Sequence, residues 1–76
     1  MNTLELWINK EKRRYYKYIV YSDLLGDRIL LRNWGSLDSK IGGTMSQVMV
    51  DSAQEQALIC SIRKKRLQHN YELVRK

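Results

Sequence analysis

The sequence predicts an α+β fold, a small twisted antiparallel β-sheet of four to five strands with one α-helix packed across one face. Two observations lead to this prediction. Segments rich in β-branched and aromatic residues, joined by short turns, fill most of the first fifty positions. A helix start signal follows only at residue 52. Because a chain of 76 residues holds one small core, we expect a single domain over residues 1–76.

The first two strands are expected in TLELWIN (3–9) and RRYYKYIVYS (13–22). The first alternates apolar and other side chains, as a pleated strand does. The second is dense in Tyr, Ile and Val, which fit a pleated surface. The segment DLLGD (23–27) predicts a turn, in which Gly26 can adopt a positive φ. These features favour an antiparallel meander.

The third strand is expected in RILLRNW (28–34), and a shorter fourth strand in TMSQVMV (44–50). One helix covers only one face of a sheet. If it covers the face with Ile29 and Leu31, the opposite face presents a cationic and aromatic stripe that leads into a glycine-bearing loop. Alternatively, Trp34 closes the core. Alternation places these residues in the stripe: Arg28, Arg32 and Trp34.

The segment SAQE (52–55) predicts a capping box, in which Ser52 and Glu55 satisfy free amides at the helix start. A helix over about 52–69 follows, and YELV (71–74) is expected to return to the sheet as an edge strand. The helix face expected to meet the sheet is formed by Ala57, Leu58, Ser61 and Ile62.

Charge is the strongest compositional signal. Fourteen Lys and Arg face eight Asp and Glu, which leaves a net charge of +6. Such a surplus favours a polyanion such as nucleic acid, although each basic cluster taken singly is also explained as solvated surface. The basic residues gather in three places: Lys10 to Lys17, Arg63 to Arg66, and Arg75 with Lys76.

Composition also narrows the class of function. One cysteine and one histidine supply neither a disulfide nor a Cys-rich or His-paired metal site. A Ser–His–Asp site would need His69 to approach Ser36 and Asp38. The sequence lacks an 18-residue apolar run and a signal peptide. We therefore expect a cytoplasmic protein without cofactor, metal or enzymatic activity.

Residues 9–74 resemble the WGR domain, a family named after a Trp-Gly-Arg tripeptide at the end of a strand. The similarity rests on the order of several features. A basic run precedes an aromatic pair in Arg13–Tyr16, a strand ends in Trp34–Gly35, and a helix is followed by a step similar to Gly-Tyr at Asn70–Tyr71. Ser36 departs from the pattern because it replaces the signature arginine.

The resemblance implies DNA binding, since WGR domains of poly(ADP-ribose) polymerases bind DNA at break ends. It implies that Trp34 stacks on a sugar or base and that Arg13 and Arg14 lie near the backbone. Together with the charge pattern, it predicts a sequence-independent nucleic-acid site formed by Arg13, Arg14, Arg32, Trp34, Gly35, Ser36 and Lys40.

Two alternatives remain open at the level of sequence. The basic surface is also suited to an acidic protein partner, and two copies can associate through the sheet. The expected state is a monomer or a weak homodimer.

Overall fold

A computed structural model of the protein describes residues 3–75, so Lys76 of the terminal basic pair lies outside the described residues. The strands are β1 (Thr3–Asn9), β2 (Arg14–Ser22), β3 (Arg28–Ser36), β4 (Gly42–Met49) and β5 (Glu72–Arg75), and helix α1 spans Ser52–Gln68 between β4 and β5. The strands form one sheet in the order β4-β3-β2-β1-β5, and all four pairings are antiparallel. The predicted α+β class is confirmed, with β5 as the edge strand beside β1.

Helix α1 covers the face of the sheet that carries the large aromatic residues. The strand register aligns Trp7 with Tyr16, and Tyr16 in turn with Trp34, so that these side chains share one face. The buried apolar core on this face consists of Trp7, Tyr16, Tyr18, Val20, Leu30, Met49, Ile59 and Ile62.

The hypothesis that the helix covers the face with Ile29 and Leu31 is wrong. Leu30 is fully buried under the helix, whereas Ile29 and Leu31 are half-buried on the opposite face. The reason lies in the neighbouring strand, since β2 pairs Leu30 with Val20 and places both beside the aromatic residues of the core. The expected stripe of arginines and Trp34 therefore lies on the same side as the helix, where much of it is covered.

The start of α1 also differs from the prediction by one residue. The N-cap is Asp51, whose carboxylate accepts a hydrogen bond from the Gln54 amide at 2.7 Å. Ser52 is the first residue of the helix, and Glu55 pairs with Arg28 on β3 at 3.0 Å instead of capping. Aspartate is among the most favourable N-cap residues, so a cap at Asp51 competes well with one at Ser52.

Two isoleucines and two ion pairs hold the helix on the sheet. The buried residues of α1 are Ile59 and Ile62, while Ala57 and Ser61 of the predicted inner face are exposed. Arg63 reaches Glu5 of β1, with Nη2 2.5 Å from Oε2, and the Glu5 side chain is fully buried.

Glu5 is ionised in this setting because its hydrogen bonds outweigh the effect of burial. Burial raises the pKa of Glu5, but hydrogen bonds from Arg63 and Trp7 and the charge of Arg63 hold the pKa below its ordinary value. Burial likewise raises the pKa of the neighbouring Tyr18 hydroxyl above its ordinary range. The helix is therefore anchored at a buried charge, which fixes the position of its last two turns over the sheet.

Candidate functional site

Trp34 lies where β3 approaches its end, on the helix-covered face. The sheet register places it between Tyr16 of β2 and Gly43 of β4. Its ring is stacked against Tyr16, with centroids 6.3 Å apart and planes 16° from parallel. Trp34 is half-buried and packs against the edge of the core, so it belongs both to the core and to the surface.

The glycines that follow Trp34 are explained by close approach. A Cβ atom on Gly43 would lie 2.6 Å from the Trp34 ring, so the indole occupies the space that a side chain would need. A Cβ atom on Gly35 would lie 2.7 Å from the carbonyl oxygen of Ile41. Gly43 therefore leaves room for the indole, whereas Gly35 allows the chain at Ile41 to approach β3 on the opposite face, and neither contact requires a mobile loop.

Arg66 enters the same region from the last turn of α1. Its guanidinium carbon lies 4.1 Å from the centroid of the Tyr16 ring and 5.1 Å from that of Tyr71. These distances are typical of cation–π contacts, which hold the guanidinium in place without neutralising it. Because Arg66 follows Arg63 by three residues, the anchoring of Arg63 to Glu5 also directs Arg66 toward the sheet.

Together these residues form an open groove of about 800 Å³, here called the cationic groove. It lies at the end of the sheet where β2 begins and β3 ends. Four cations line it, and none of the described lining residues is acidic. The principal side chains of the groove are the cations Lys12, Arg14, Arg32 and Arg66 and the rings of Tyr15, Tyr16, Trp34 and Tyr71.

Two of these arginines retain unused hydrogen-bond donors. Arg32 donates from Nη2 to the Gln47 side chain at 3.2 Å, but its Nε is buried and makes no hydrogen bond to any described residue. The Nε of Arg66 is also buried and makes no hydrogen bond within residues 3–75. A buried donor without a partner lowers the stability of the fold.

Five of the seven predicted site residues line the groove: Arg14, Arg32, Trp34, Gly35 and Ser36. Arg13 and Lys40 are not among the lining residues. Arg13 forms an ion pair with Asp38, with Nη2 2.9 Å from Oδ1. This hydrogen bond raises the pKa of Arg13 and lowers that of Asp38. Lys40 is exposed in the loop before β4.

The predicted site does not include all the principal side chains of the groove, although the basic and aromatic runs in the sequence contain the missing ones: Lys12, Tyr15, Tyr16, Arg66 and Tyr71. The signal for Arg66 is its spacing from the buried helix residues, because positions 59, 62 and 66 share one helical face. Four consecutive basic residues conceal that signal unless the buried face of the helix is known.

The structure was also searched, within residues 3–75, for metal sites and membrane-spanning helices. Among these residues, there is no group of three or more His, Cys, Asp or Glu residues placed to hold a metal ion. No helix in the described part of the chain is long and apolar enough to cross a membrane.

No family model, no curated protein and no solved structure matches this sequence. The resemblance to the WGR domain therefore continues to rest on the residues of this chain. The cationic groove combines fixed cations with stacked rings. This combination suits a ligand with both negative charge and flat surfaces.

Proposed function

We propose that this protein is a non-enzymatic nucleic-acid-binding module of the WGR type, which binds DNA by its backbone or its ends through the cationic groove. One observation supports the proposal: four cations and several aromatic rings line a single groove, and none of its lining residues within 3–75 is acidic. Phosphate oxygens accept hydrogen bonds from arginine and lysine, while sugars and bases stack on aromatic side chains.

The cations of the groove should contribute differently to binding, because two of them are fixed by neighbouring side chains and two are exposed. Arg66 lies between the rings of Tyr16 and Tyr71, and Arg32 is held by Gln47. Because both guanidinium groups already have a fixed position, little side-chain freedom is lost when they bind phosphate. Lys12 and Arg14 are exposed at the same groove and add attraction along the backbone.

The departure at Ser36 is compatible with this proposal. The Ser36 hydroxyl oxygen accepts a hydrogen bond from the Asp38 amide at 3.1 Å, so it serves the loop between β3 and β4. The positive charge that the WGR signature would provide at this position is supplied in the groove by Arg32 and Arg66, which come from β3 and α1. Aromatic rings favour nucleic acid over an acidic protein partner, because carboxylates alone do not require stacking surfaces.

The test is a fluorescence-anisotropy titration of the protein with a blunt duplex, a nicked duplex, a single strand and heparin at several salt concentrations. Engagement of about five phosphates predicts a log–log salt slope near −4 to −5. Nucleic acid should bind more tightly than heparin at equal charge, because heparin offers no bases to stack. Affinity that is flat between low and moderate salt, or that is equal for heparin and DNA, would contradict the proposal.

A matched pair of variants locates the site. Arg66→Gln and Lys65→Gln each remove one positive charge from adjacent helix positions, but only Arg66 lines the groove. We expect Arg66→Gln to weaken DNA binding about tenfold and Lys65→Gln to weaken it only about twofold. Melting curves control for folding. Equal losses would mean that the charge of the whole chain, and not the groove, attracts DNA.

A further inference from the structure

The aromatic rings of the cationic groove lie on both faces of the sheet. Tyr15 and Tyr16 are consecutive residues of β2, so their side chains point to opposite faces. Tyr16 is on the helix-covered face beside Trp34, whereas Tyr15 is on the opposite face beside Gly35. A Cβ atom on Gly35 would lie 3.2 Å from Cε1 of the Tyr15 ring. Because Tyr15 and Trp34 both line the groove, the groove passes around the end of the sheet.

One of these rings is already occupied, and the others remain available to a ligand. The guanidinium carbon of Arg66 lies 4.1 Å from the centroid of the Tyr16 ring, and Tyr16 is only 8% exposed. Tyr15, Trp34 and Tyr71 are half-buried, so each retains some surface in the groove. Tyr16 therefore holds Arg66, and the other three rings offer apolar surface to a ligand that binds beside it.

Trp34 is held firmly enough to serve as a stacking surface. Its ring is stacked against Tyr16 on one side, and Gly43 leaves room for it on the other. Trp34 also packs against the buried core. Because its position is fixed before binding, little conformational entropy is lost when a flat group stacks on it.

A nucleic acid offers flat surfaces only where its bases are unpaired. Inside a duplex, neighbouring base pairs cover both faces of each base, and a protein reaches the base edges and the backbone. Unpaired bases can leave the stack and pack on aromatic side chains. The rings of the groove are therefore suited to unpaired nucleotides, and they have little to contact within an intact duplex.

The size of the groove also favours one strand over two. Its volume of about 800 Å³ is that of a cube about 9 Å on each edge. The major groove of a DNA duplex is by itself about 12 Å wide, so the whole duplex is wider than the cationic groove. A duplex can lay phosphates along the rim, whereas a single strand can enter.

The placement of rings on two faces further requires a ligand that bends. A strand that contacts both Trp34 and Tyr15 must turn around the end of β3. Duplex DNA is stiff over about 50 nm, whereas the longest dimension of this protein is 38 Å. A single strand is flexible enough to follow such a path.

We propose that the cationic groove binds a single-stranded segment of nucleic acid in preference to an intact duplex. Unpaired bases stack on Trp34 and Tyr15, and the phosphates of the same strand contact the arginines of the groove. This inference rests on the function proposed above, which it narrows from DNA in general to unpaired nucleotides.

Fluorescence anisotropy with three related ligands tests this preference. The ligands are a labelled DNA strand of about 12 nucleotides, the same strand annealed to its complement, and the same strand with several central abasic sites. We expect the single strand to bind at least about tenfold more tightly than the duplex. The abasic strand should bind about tenfold more weakly than the intact strand, because it keeps every phosphate and loses bases that stack.

The possible failures of this inference and of the proposed function can be told apart. A duplex that binds as tightly as the single strand, or an abasic strand that binds as tightly as the intact one, overturns the preference for unpaired nucleotides. The proposed function stands in that case if binding remains salt-dependent and Arg66→Gln still weakens it more than Lys65→Gln. If no ligand shows salt-dependent binding, the proposed function fails and this inference fails with it.

A matched pair of variants tests the path around the sheet. Tyr15 and Tyr21 are half-buried residues of β2 on the face opposite α1, but Tyr15 lines the groove and Tyr21 lies near the far end of the strand. We expect Tyr15→Leu to weaken single-strand binding about tenfold with little effect on duplex binding, and Tyr21→Leu to change neither. Equal losses in the two variants would overturn the role of Tyr15. Melting curves control for folding, and the abasic comparison decides if Tyr15→Leu does not fold.

Discussion

The two ends of the helix-covered face are built from the same strands and the same helix, yet one is closed and the other is open. At the closed end, Val20, Leu30, Met49 and Ile59 are buried together. At the open end, the same strands continue into arginines and aromatic rings, which form the cationic groove. The alternation of side chains along a strand is identical at both ends, so alternation identifies the face and does not distinguish its core from its site.

Two arginines one helical turn apart show the same contrast in detail. Arg63 is neutralised by the buried carboxylate of Glu5. Arg66 contacts two tyrosine rings, which hold its guanidinium group, and it forms no ion pair with any residue in the described range 3–75. The comparison teaches that the partner of a cation, more than its presence in a basic cluster, decides whether the cation stabilises the fold or remains available to a ligand.

The largest expected effect concerns Arg63, the arginine that is neutralised by a buried carboxylate. Arg63→Met leaves the buried Glu5 carboxylate without its cation and should lower the free energy of unfolding by about 3 kcal/mol. Urea denaturation measures this change. The control is Lys64→Met, an exposed neighbour whose loss should change stability by less than about 0.5 kcal/mol. Equal changes in the two variants would show that Glu5 does not depend on Arg63.

Trp34 lies between the buried core and the cationic groove, so its substitution tests whether one residue contributes both to folding and to binding. Because it is half-buried, Trp34→Ala should cost about 2 kcal/mol of folding, less than the 3–5 kcal/mol typical of a fully buried tryptophan. It should also cost about 1–3 kcal/mol of DNA binding. Trp7→Ala is the control for a core tryptophan, since Trp7 is 3% exposed. A Trp34 variant that loses as much stability as the Trp7 variant, yet binds DNA normally, would assign Trp34 to the core.

Acid should lower the stability of the folded protein through its two paired glutamates, Glu5 and Glu55. The pKa of Glu5 is held down by Arg63 against the effect of burial, and the pKa of Glu55 is lowered chiefly by its hydrogen bond with Arg28. A lowered pKa in the folded state contributes stability that is present above the ordinary value of 4.5 and is lost as the pH falls below it.

The sign of this dependence should change at Glu5 when its cation is removed. In Arg63→Met, burial without the cation raises the pKa of Glu5, so protonation then favours the folded state. The stability difference between wild type and this variant should therefore begin to narrow above pH 4.5, where Glu5 of the folded variant is protonated first, and narrow further below pH 4.5, where wild type loses the contribution of its ionised Glu5. Urea titrations at several pH values measure the difference, and a constant gap would rule out Glu5 as its source.

The smallest expected effect compares two adjacent arginines at the start of β2. Arg14 lines the groove, whereas Arg13 is paired with Asp38. Arg14→Gln should reduce the magnitude of the salt slope of DNA binding by about 1, as expected for the loss of one phosphate contact. Arg13→Gln should reduce it less. The opposite order would mean that the ion pair opens on binding and that the DNA path runs outside the groove.

Local sequence patterns are sufficient to predict the strands and the helix of this fold. Side-chain alternation, β-branched and aromatic composition and the turn at Gly26 located the strands, and the helix was predicted over about 52–69 against an observed Ser52–Gln68. These features depend on residues close together in the chain, where backbone geometry and solvent exposure are decided locally. The error at the cap was small because Asp51 and Ser52 are both good N-cap residues.

The identity of the covered face required the tertiary structure. On β3, the sequence alone leaves two possibilities, a covered face with Ile29 and Leu31 or one with Trp34, and the structure buries Leu30 on the face of Trp34. The register with β2 decided this outcome, because it placed Leu30 and Trp34 beside Val20 and Tyr16. Cross-strand register joins residues from different segments, so the pattern within one strand does not determine it.

By itself, the sequence determined the class of the fold, the order of its elements and the excess of positive charge, since these follow from composition and local periodicity. Only the tertiary structure decided which cations are neutralised and which line a groove. Arg63 and Arg66 are indistinguishable within their basic run, and only the positions of Glu5 on β1 and Tyr16 on β2 give them different roles. An electrostatic interaction depends on distance and burial, and both quantities are set when segments far apart in the chain are packed together.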